Sequence, residues 1–446
     1  MPPYNQADSF GPVQLAPGIS KTNAFALMYG AFFTIGLLSY IAVGTPYVLT
    51  EILDIPTAKQ GTISGNLVVW NEITMLLVFG PVGMAADRIG RKSIYVFGFL
   101  TMGLGYALYP IAGSVAELTV YRIIYAAGVA TATGILATVV TDYPQEQSRG
   151  KLVGIVGFIN GLGVVVINRG LSLLPEHFVN SGLDGISAGR YTHWLVAAIC
   201  MISAMVLGLG LKGGTPLPVR SRTPTKTLWL SAYRHSRTNP RILLSYAAAF
   251  IARGDLVILA TFLTLWGTIA GVEREIDTAE ASKLATLAFI TAQGGALVWT
   301  LVIIFFIDRF NRVTFLAGCM FLAAVGYLAM ILVDDPTQAS ARPLIILLGV
   351  GQISAFFGSQ ALIGQEAPLA ERGAVVAGFN ISGAIGILFC SFVGGYLFDA
   401  IDPRATFVLV GSINAVVCLL AVLVRLMSPG RMPGEPGSYD KSTLGA

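Results

Sequence analysis

Gly83-Met84-Ala85-Ala86-Asp87-Arg88-Ile89-Gly90-Arg91-Lys92 is the stretch on which the fold turns. Asp87, Arg88, Arg91 and Lys92 put four charges into six residues, between apolar runs near 61–85 and 93–113. Each run has the length, about 20 residues, that a helix needs to cross the hydrocarbon core of a bilayer. The charges between them then belong at a membrane surface, where water and headgroups can solvate them.

Moving outward, runs of the same kind occur near 23–49, 117–141, 150–173 and 192–212, and again near 241–268, 284–307, 313–333, 343–364, 373–398 and 405–427. They are continuous rather than alternating, which argues for helices and against a membrane β-barrel. In lipid, the backbone must satisfy its own hydrogen bonds, as a helix does. Twelve spans follow. Composition agrees: 54% of residues are hydrophobic and 12% charged, against about 25% charged in an ordinary soluble domain. The predicted fold class is an all-α membrane protein of two pseudo-symmetric six-helix bundles. The predicted division is a tail 1–22, a first bundle 23–212, a basic linker 213–240, a second bundle 241–427 and a tail 428–446. The apolar run after the N-terminal tail is too long for a signal-peptide core, so it is read as the first span. A short amphipathic helix is expected around 226–236 in the linker.

Charge sets the orientation. With both termini cytoplasmic, about 19 Lys/Arg fall in inner segments, about 6 in outer ones and 3 within helices, as the positive-inside rule requires. The net charge of +4 is therefore a topology signal and not a nucleic-acid surface. A plasma (inner) membrane and a monomer are expected, with lipids as the surrounding partner. Cys200, Cys319, Cys390 and Cys418 lie in apolar runs without metal-ligand spacing, so neither a metal nor a cofactor is expected.

The halves repeat. Asp142-Tyr-Pro144 with Arg149-Gly150 is echoed by Glu366-Ala-Pro368 with Arg372-Gly373, the arginines 223 residues apart. Asp87-Arg88 and Asp308-Arg309 are 221 apart. Duplicated bundles of this sort typify secondary transporters, with a site between the halves near the midplane.

The stretch 83–92 resembles the signature G-x-x-x-D-R-x-G-R-K of the major facilitator superfamily, at the required place between helices 2 and 3. Asp308-Arg309-Phe-Asn-Arg312 is a weaker copy between helices 8 and 9. The resemblance implies alternating access and a conformational latch formed by Gly83, Asp87, Arg88, Gly90 and Arg91, with Asp308, Arg309, Arg312, Arg149 and Arg372 as its counterparts. In that arrangement, Asp87 meets the positive end of helix 11 near Gly373, and Asp308 that of helix 5 near Gly150. Arg122-x-x-x-Ala126-x-Gly128-x-Ala130 looks like the family's helix-4 pattern, whose arginine is linked to proton coupling or anion binding. The family's layout also implies that helices 1, 4, 7 and 10 line the cavity. Tyr40, Tyr47, Gln352 and Gln360 are solute candidates on helices 1 and 10, with Asn71, Gln293 and Asn380 beside them.

Ionisable residues at membrane depth are functional candidates because they are costly to place there. Asp255 is read as the first proton-binding carboxylate, with burial and the nearby arginine pulling in opposite directions; a static ion pair is the alternative. Glu72 is read as neutralising Arg253 or Arg122, or carrying a proton itself. Arg122 and Arg253 are read as holding a solute anion or releasing those protons. Arg169 is expected to snorkel. His177 and His193 are expected near the outer loop, outside the membrane core. Gly157-x-x-x-Gly161-x-Gly163 is read as close helix packing.

The sequence thus predicts a secondary active transporter, not an enzyme. Its expected partners are a small organic solute, possibly anionic in class, and protons. Helix 5 lacks the Gly-Pro pair of drug/proton antiporters, which favours symport or uniport over efflux antiport. A facilitative uniporter, an efflux antiporter, and a non-transporting sensor or lipid-handling protein are the alternatives.

Overall fold

A computed structural model describes residues 9–214, 234–307, 309–368, 371–428 and 430. Twelve helices long and apolar enough to cross a membrane lie among them. In chain order these are α1 Lys21–Tyr47, α2 Thr57–Ile89, α3 Arg91–Leu108, α4 Val115–Asp142, α5 Arg149–Ser172 and α6 Gly185–Gly210. The second six are α7 Pro240–Glu273, α8 Thr278–Ile307, α9 Arg312–Leu328, α10 Arg342–Glu366, α11 Arg372–Ala400 and α12 Pro403–Met427. Two of the helices change pitch. α1 runs into a π turn at Val48–Ile52, and α7 contains one at Leu259–Leu263.

Helix starts follow the chain's own chemistry. Ser20 accepts from the Asn23 N–H while Asn23 Oδ1 accepts from the Ser20 N–H, a reciprocal cap on α1. Asp184 caps α6 through the Ser187 N–H at 3.0 Å. Hydrogen bonds from Ser187 hold the exposed Asp184 carboxyl below its ordinary range. The stretch 83–92 is less of a loop than the sequence suggested. Gly83 to Ile89 complete α2, and Gly90 alone makes the turn at φ +100°. That conformation strains any residue with a Cβ. In the second half Asn311 replaces the turn glycine at φ −53°, and its side chain caps α9 through the Val313 N–H.

Each bundle has its own apolar core. One is centred on Tyr95, Phe99, Met102 and Tyr125, the other on Phe262, Phe289, Met320 and Tyr327. The duplication read from charged motifs is present in the packing. Gly163 of α5 lies against Phe32 of α1, and Gly386 of α11 against Phe250 of α7. Gly128 of α4 lies against Met102 of α3, and Gly351 of α10 against Ala323 of α9. A Cβ at any of the four would meet backbone atoms. Gly128→Val and Gly351→Val are each expected to destabilise by about 1–3 kcal/mol or more. Thermal unfolding in detergent checks this, and equal losses at the two sites are the signature of the repeat. The helix-5 glycines divide: Gly163 packs as expected, Gly161 meets Leu297 of the other bundle, and Gly157 faces open space.

Three stretches bear on the expectations. First, the N-terminal tail is built into the fold over its described part. Ser9–Phe10 and Val13–Gln14 form a small hairpin, Val13 and Leu15 are fully buried, and Ala16 N–H donates to Tyr143 O. This segment straps the 143–148 turn because its two apolar side chains find the end of the first core. Second, α6 starts at Gly185, about two turns before the predicted 192, so His193 lies inside a spanning helix. Third, the predicted linker helix around 226–236 lies largely outside the described residues. From Arg234 the chain is placed, and His235 pairs with Glu371 at 2.8 Å. Arg241 pairs with Glu366 at 2.9 Å.

Candidate functional site

With twelve spans, both ends of the helical set open on one side, here called the termini end; α2 begins and α11 ends at the opposite, far end. The bundles touch at the far end. Asp399 of α11 accepts from Gly61 N–H and Thr62 N–H of α2. Lys283 of α8 pairs with Glu176 beyond α5 at 2.6 Å. Val43 of α1 is counted in the core of the second bundle. Toward the termini end, Gly80, Gly83, Gly150, Gly154, Gly364 and Gly373 all face open space. These positions stand on α2, α5, α10 and α11, between the termini end and mid-depth.

At that depth, Glu72 of α2 and Arg253 of α7 interact electrostatically across the bundle interface. Both lie about halfway along their helices. The Arg253 stem passes over α11 where Gly383 leaves room, and its Nη2 donates to Asn380 Oδ1 at 2.7 Å. Asn380 is exposed. Of the two expected partners of Glu72, Arg253 and Arg122, Arg253 is the one within electrostatic range, and no ion pair within 4.0 Å joins them among the described residues.

Asp255 is placed elsewhere. It is fully buried inside the second bundle, where Asn414 Nδ2 of α12 approaches its carboxylate at 3.3 and 3.4 Å and Tyr327 OH donates to its backbone carbonyl. No ion pair joins it to Arg253 among the described residues. Two residues apart on a helix, the side chains point to different faces. The expected competition between burial and a neighbouring arginine is therefore not built at Asp255.

A second polar centre occupies the first bundle, nearer the far end. Arg122 is 4% exposed, so it does not snorkel. Its guanidinium lies over the Tyr125 ring at 5.4 Å and beside Tyr109. Nε and Nη1 are buried without a hydrogen-bond partner. Tyr40, Tyr106 and Tyr109 surround His193 with ring centres 6.0–6.3 Å apart. His193 is 2% exposed, and its Nε2 also lacks a partner. It was expected outside the membrane core and is instead part of this cluster. A small chamber with room for about one water joins it to the other bundle, lined by Tyr40, Tyr47, His193, Ser282 and Thr286.

Of the other predicted solute residues, Tyr47 donates to Gly185 O at 2.8 Å, which ties it into its own bundle. Gln352 is buried with Oε1 unpartnered, and Gln293 Nε2 and Asn71 Oδ1 are also buried without partners. Gln360 is half-buried. Asn160 of α5 carries a similar orphan oxygen that the sequence reading passed over. Arg169 is exposed, as snorkelling requires.

Several latch residues make contacts within their own halves. Arg91 pairs with Asp142, and Asp87 acts electrostatically on Arg91. Arg149 pairs with Glu146 at 2.7 Å, and Arg312 donates to Ile307 O. Arg88, Arg309 and Arg372 are exposed. The N-cap residue of α11, Glu371, does not cap the helix with its own side chain. Asp308 lies outside the described residues.

The sequence model of the Major Facilitator Superfamily matches residues 24–384 and again 285–442. The chain belongs to that superfamily. The overlapping matches fit the duplicated bundles. Magnetosome protein MamH of Paramagnetospirillum magneticum is 29% identical over 404 residues, 88% of this chain and 90% of the relative. Magnetosome protein MamZ of Magnetospirillum gryphiswaldense is 26% identical over 402 residues, but the match spans only 58% of that longer relative. The inner membrane transport protein YajR of Escherichia coli K12 is 22% identical, with 87% of this chain and 80% of the relative covered. The crystal structure of the nucleoside transporter NupG superposes with TM-score 0.70 at 14% identity, covering 90% of this chain and 98% of that one. XylE of E. coli, in a partially occluded inward-open conformation, gives TM-score 0.63 at 14% identity, covering 92% and 99%. These likenesses give the fold. With the family, they make the chain an integral membrane solute transporter of the major facilitator type rather than an enzyme.

Proposed function

We propose that this superfamily member is a proton-coupled secondary transporter of a small anionic organic solute, working as a monomer by alternating access. The observation that carries the reading is that Glu72 of one bundle and Arg253 of the other stand at mid-depth within electrostatic range of each other. A carboxyl in that place can bind a proton. When it does, Arg253 is released to a solute carboxylate or phosphate, and an unpaired charge at membrane depth is avoided throughout. Asn380 holds the guanidinium.

Arg122 supports the anionic class. A guanidinium buried with two orphan nitrogens and no carboxylate partner among the described residues is costly unless an anion reaches it during the cycle. Arg122→Gln is expected to weaken anionic solutes about tenfold or more, the scale of a lost charge-assisted hydrogen bond. Thermal-shift titration against paired anionic and neutral metabolites checks this. Equal stabilisation of parent and variant by the same anion sinks the role. Counterflow in proteoliposomes, with and without a pH gradient, tests the transport itself.

The termini end is taken as cytoplasmic because it carries the Lys/Arg excess. A plasma membrane suits that topology. The two relatives named as magnetosome proteins favour a second location, the magnetosome membrane. Fractionation of cells producing a tagged chain separates the two.

A further inference from the structure

We propose that the groove between α8 and α9 binds one anionic phospholipid of the termini-end leaflet, with an acyl chain in the groove and the phosphate at Arg309. The proposal stands apart from the transport reading above and needs only that the chain spans a bilayer. The groove measures about 420 Å³, within the range of sites that take small molecules, about 300–1,000 Å³. Ile303, Phe315 and Cys319 form its floor, packed on Phe357 of α10. Trp299 closes the deep end, where its Nε1 donates to Ser354 Oγ of α10 at 2.9 Å. From Arg312 to Leu322, the innermost lining residue of α9, the helix rises about 15 Å at about 1.5 Å per residue. That is half of a hydrocarbon core of about 30 Å, so the groove has the depth of one leaflet.

The chemistry changes at the mouth. The interior is aromatic and aliphatic, and Thr314 in the first turn of α9 is the one hydroxyl among the described lining residues. Its Oγ1 accepts from Arg425 Nε of α12 at 2.9 Å. Arg309 is exposed next to Phe310, a lining residue, and Arg312 opens α9. Against these arginines the stretch 299–322 holds a single acid, Asp308. A basic mouth above an apolar slot suits a phosphate above an acyl chain, and the leaflet on the Lys/Arg-rich side is the one that carries anionic headgroups. The slot also breaks the repeat. At the offset of 221 residues, Gly318 corresponds to Phe97 of α3, an exposed ring. Where the first bundle has that ring, a Cβ on Gly318 would meet nothing within 4 Å.

Trp299 makes the site readable, since its emission is the difference between the parent and Trp299→Phe. Proteoliposomes hold equal parts of phosphatidylglycerol and phosphatidylcholine, and only one of the two carries bromine in its acyl chains. Brominated phosphatidylglycerol is expected to quench Trp299 about fivefold more than brominated phosphatidylcholine, the scale of one guanidinium's attraction to an anionic headgroup. Arg309→Gln should bring the two within about twofold, and Arg309→Lys should keep most of the preference. Gly318→Phe, which fills the slot as Phe97 does, should lose the preference at the parent's melting temperature; Gly318→Leu takes its place should it fail to fold. Equal quenching in the parent overturns the proposal, because the groove is then ordinary lipid-facing surface. Quenching by neither lipid overturns it as well, since a second copy or another protein then covers the groove. So does a preference that survives in either Arg309→Gln or the folded Gly318 variant.

Discussion

Glu72→Gln abolishes the response to a pH gradient and leaves solute exchange intact. In proteoliposomes, gradient-driven uptake should fall about 100-fold, while counterflow at equal pH stays within about threefold of the parent; one lost driving reaction of a few kcal/mol is enough for that split. Glu72 sits at mid-depth and interacts with Arg253 of the opposite bundle, so its charge state bears on how the halves meet. Glutamine keeps the size and the hydrogen-bonding capacity but cannot take up or release a proton. Asp255→Asn is the discriminating control. Because Asp255 faces Asn414 within its own bundle, its replacement should keep gradient-driven uptake. Loss of coupling in Asp255→Asn with Glu72→Gln unaffected would return the proton to the second bundle and sink this assignment.

That contrast also marks what the sequence could carry. The twelve spans were legible because lipid demands long apolar helices, and helix starts differed from the predicted ones by up to about two turns. The largest displacement, at α6, came from overlooking Asp184 and Ser187, a capping pair that a hydropathy window cannot see. The missed turn took His193 with it, from a loop into a buried aromatic cluster. Charges at depth were legible as residue types, but not as partners. Arg253-Gly254-Asp255 announced two helix faces, yet which face met the other bundle depended on Gly383 of α11 leaving space for the arginine stem, a contact more than a hundred residues away. The strap formed by Val13 and Leu15 was hidden for the opposite reason: its apolar residues are too few and too separated to make a periodic pattern. Asp399 closes a helix near the membrane surface, where acidic residues are ordinary. Only its two backbone partners on α2 set it apart.

The contact beside Asp399 gives the other large effect. Gly395→Trp should leave a folded protein with less than about 1% of parental transport, since wedging a bulky ring into a packed helix contact costs about 1–3 kcal/mol or more and this contact exists only when the far end is closed. The atoms a Cβ on Gly395 would meet are Gly61 O at 2.6 Å and Gly61 C and Gly65 Cα at 3.2 Å. Both are backbone, so no side chain can swing aside. The strain is relieved by separating α2 from α11, a motion the separate cores of the two bundles tolerate. The variant should therefore accumulate with its far end open, and Ser282→Cys in that background, placed in the chamber between the bundles, should label rapidly with a membrane-impermeant maleimide. Gly373→Trp, near the other end of α11, makes the argument directional. It faces open space in this conformation, so it should leave the closed far end undisturbed and obstruct only the approach of α2 to the start of α11. Both variants stop the cycle, but at opposite ends: one labels fast and the other slowly. Parental uptake in Gly395→Trp, or the same labelling in both, would mean that this helix pair is scaffold and that the gate lies elsewhere.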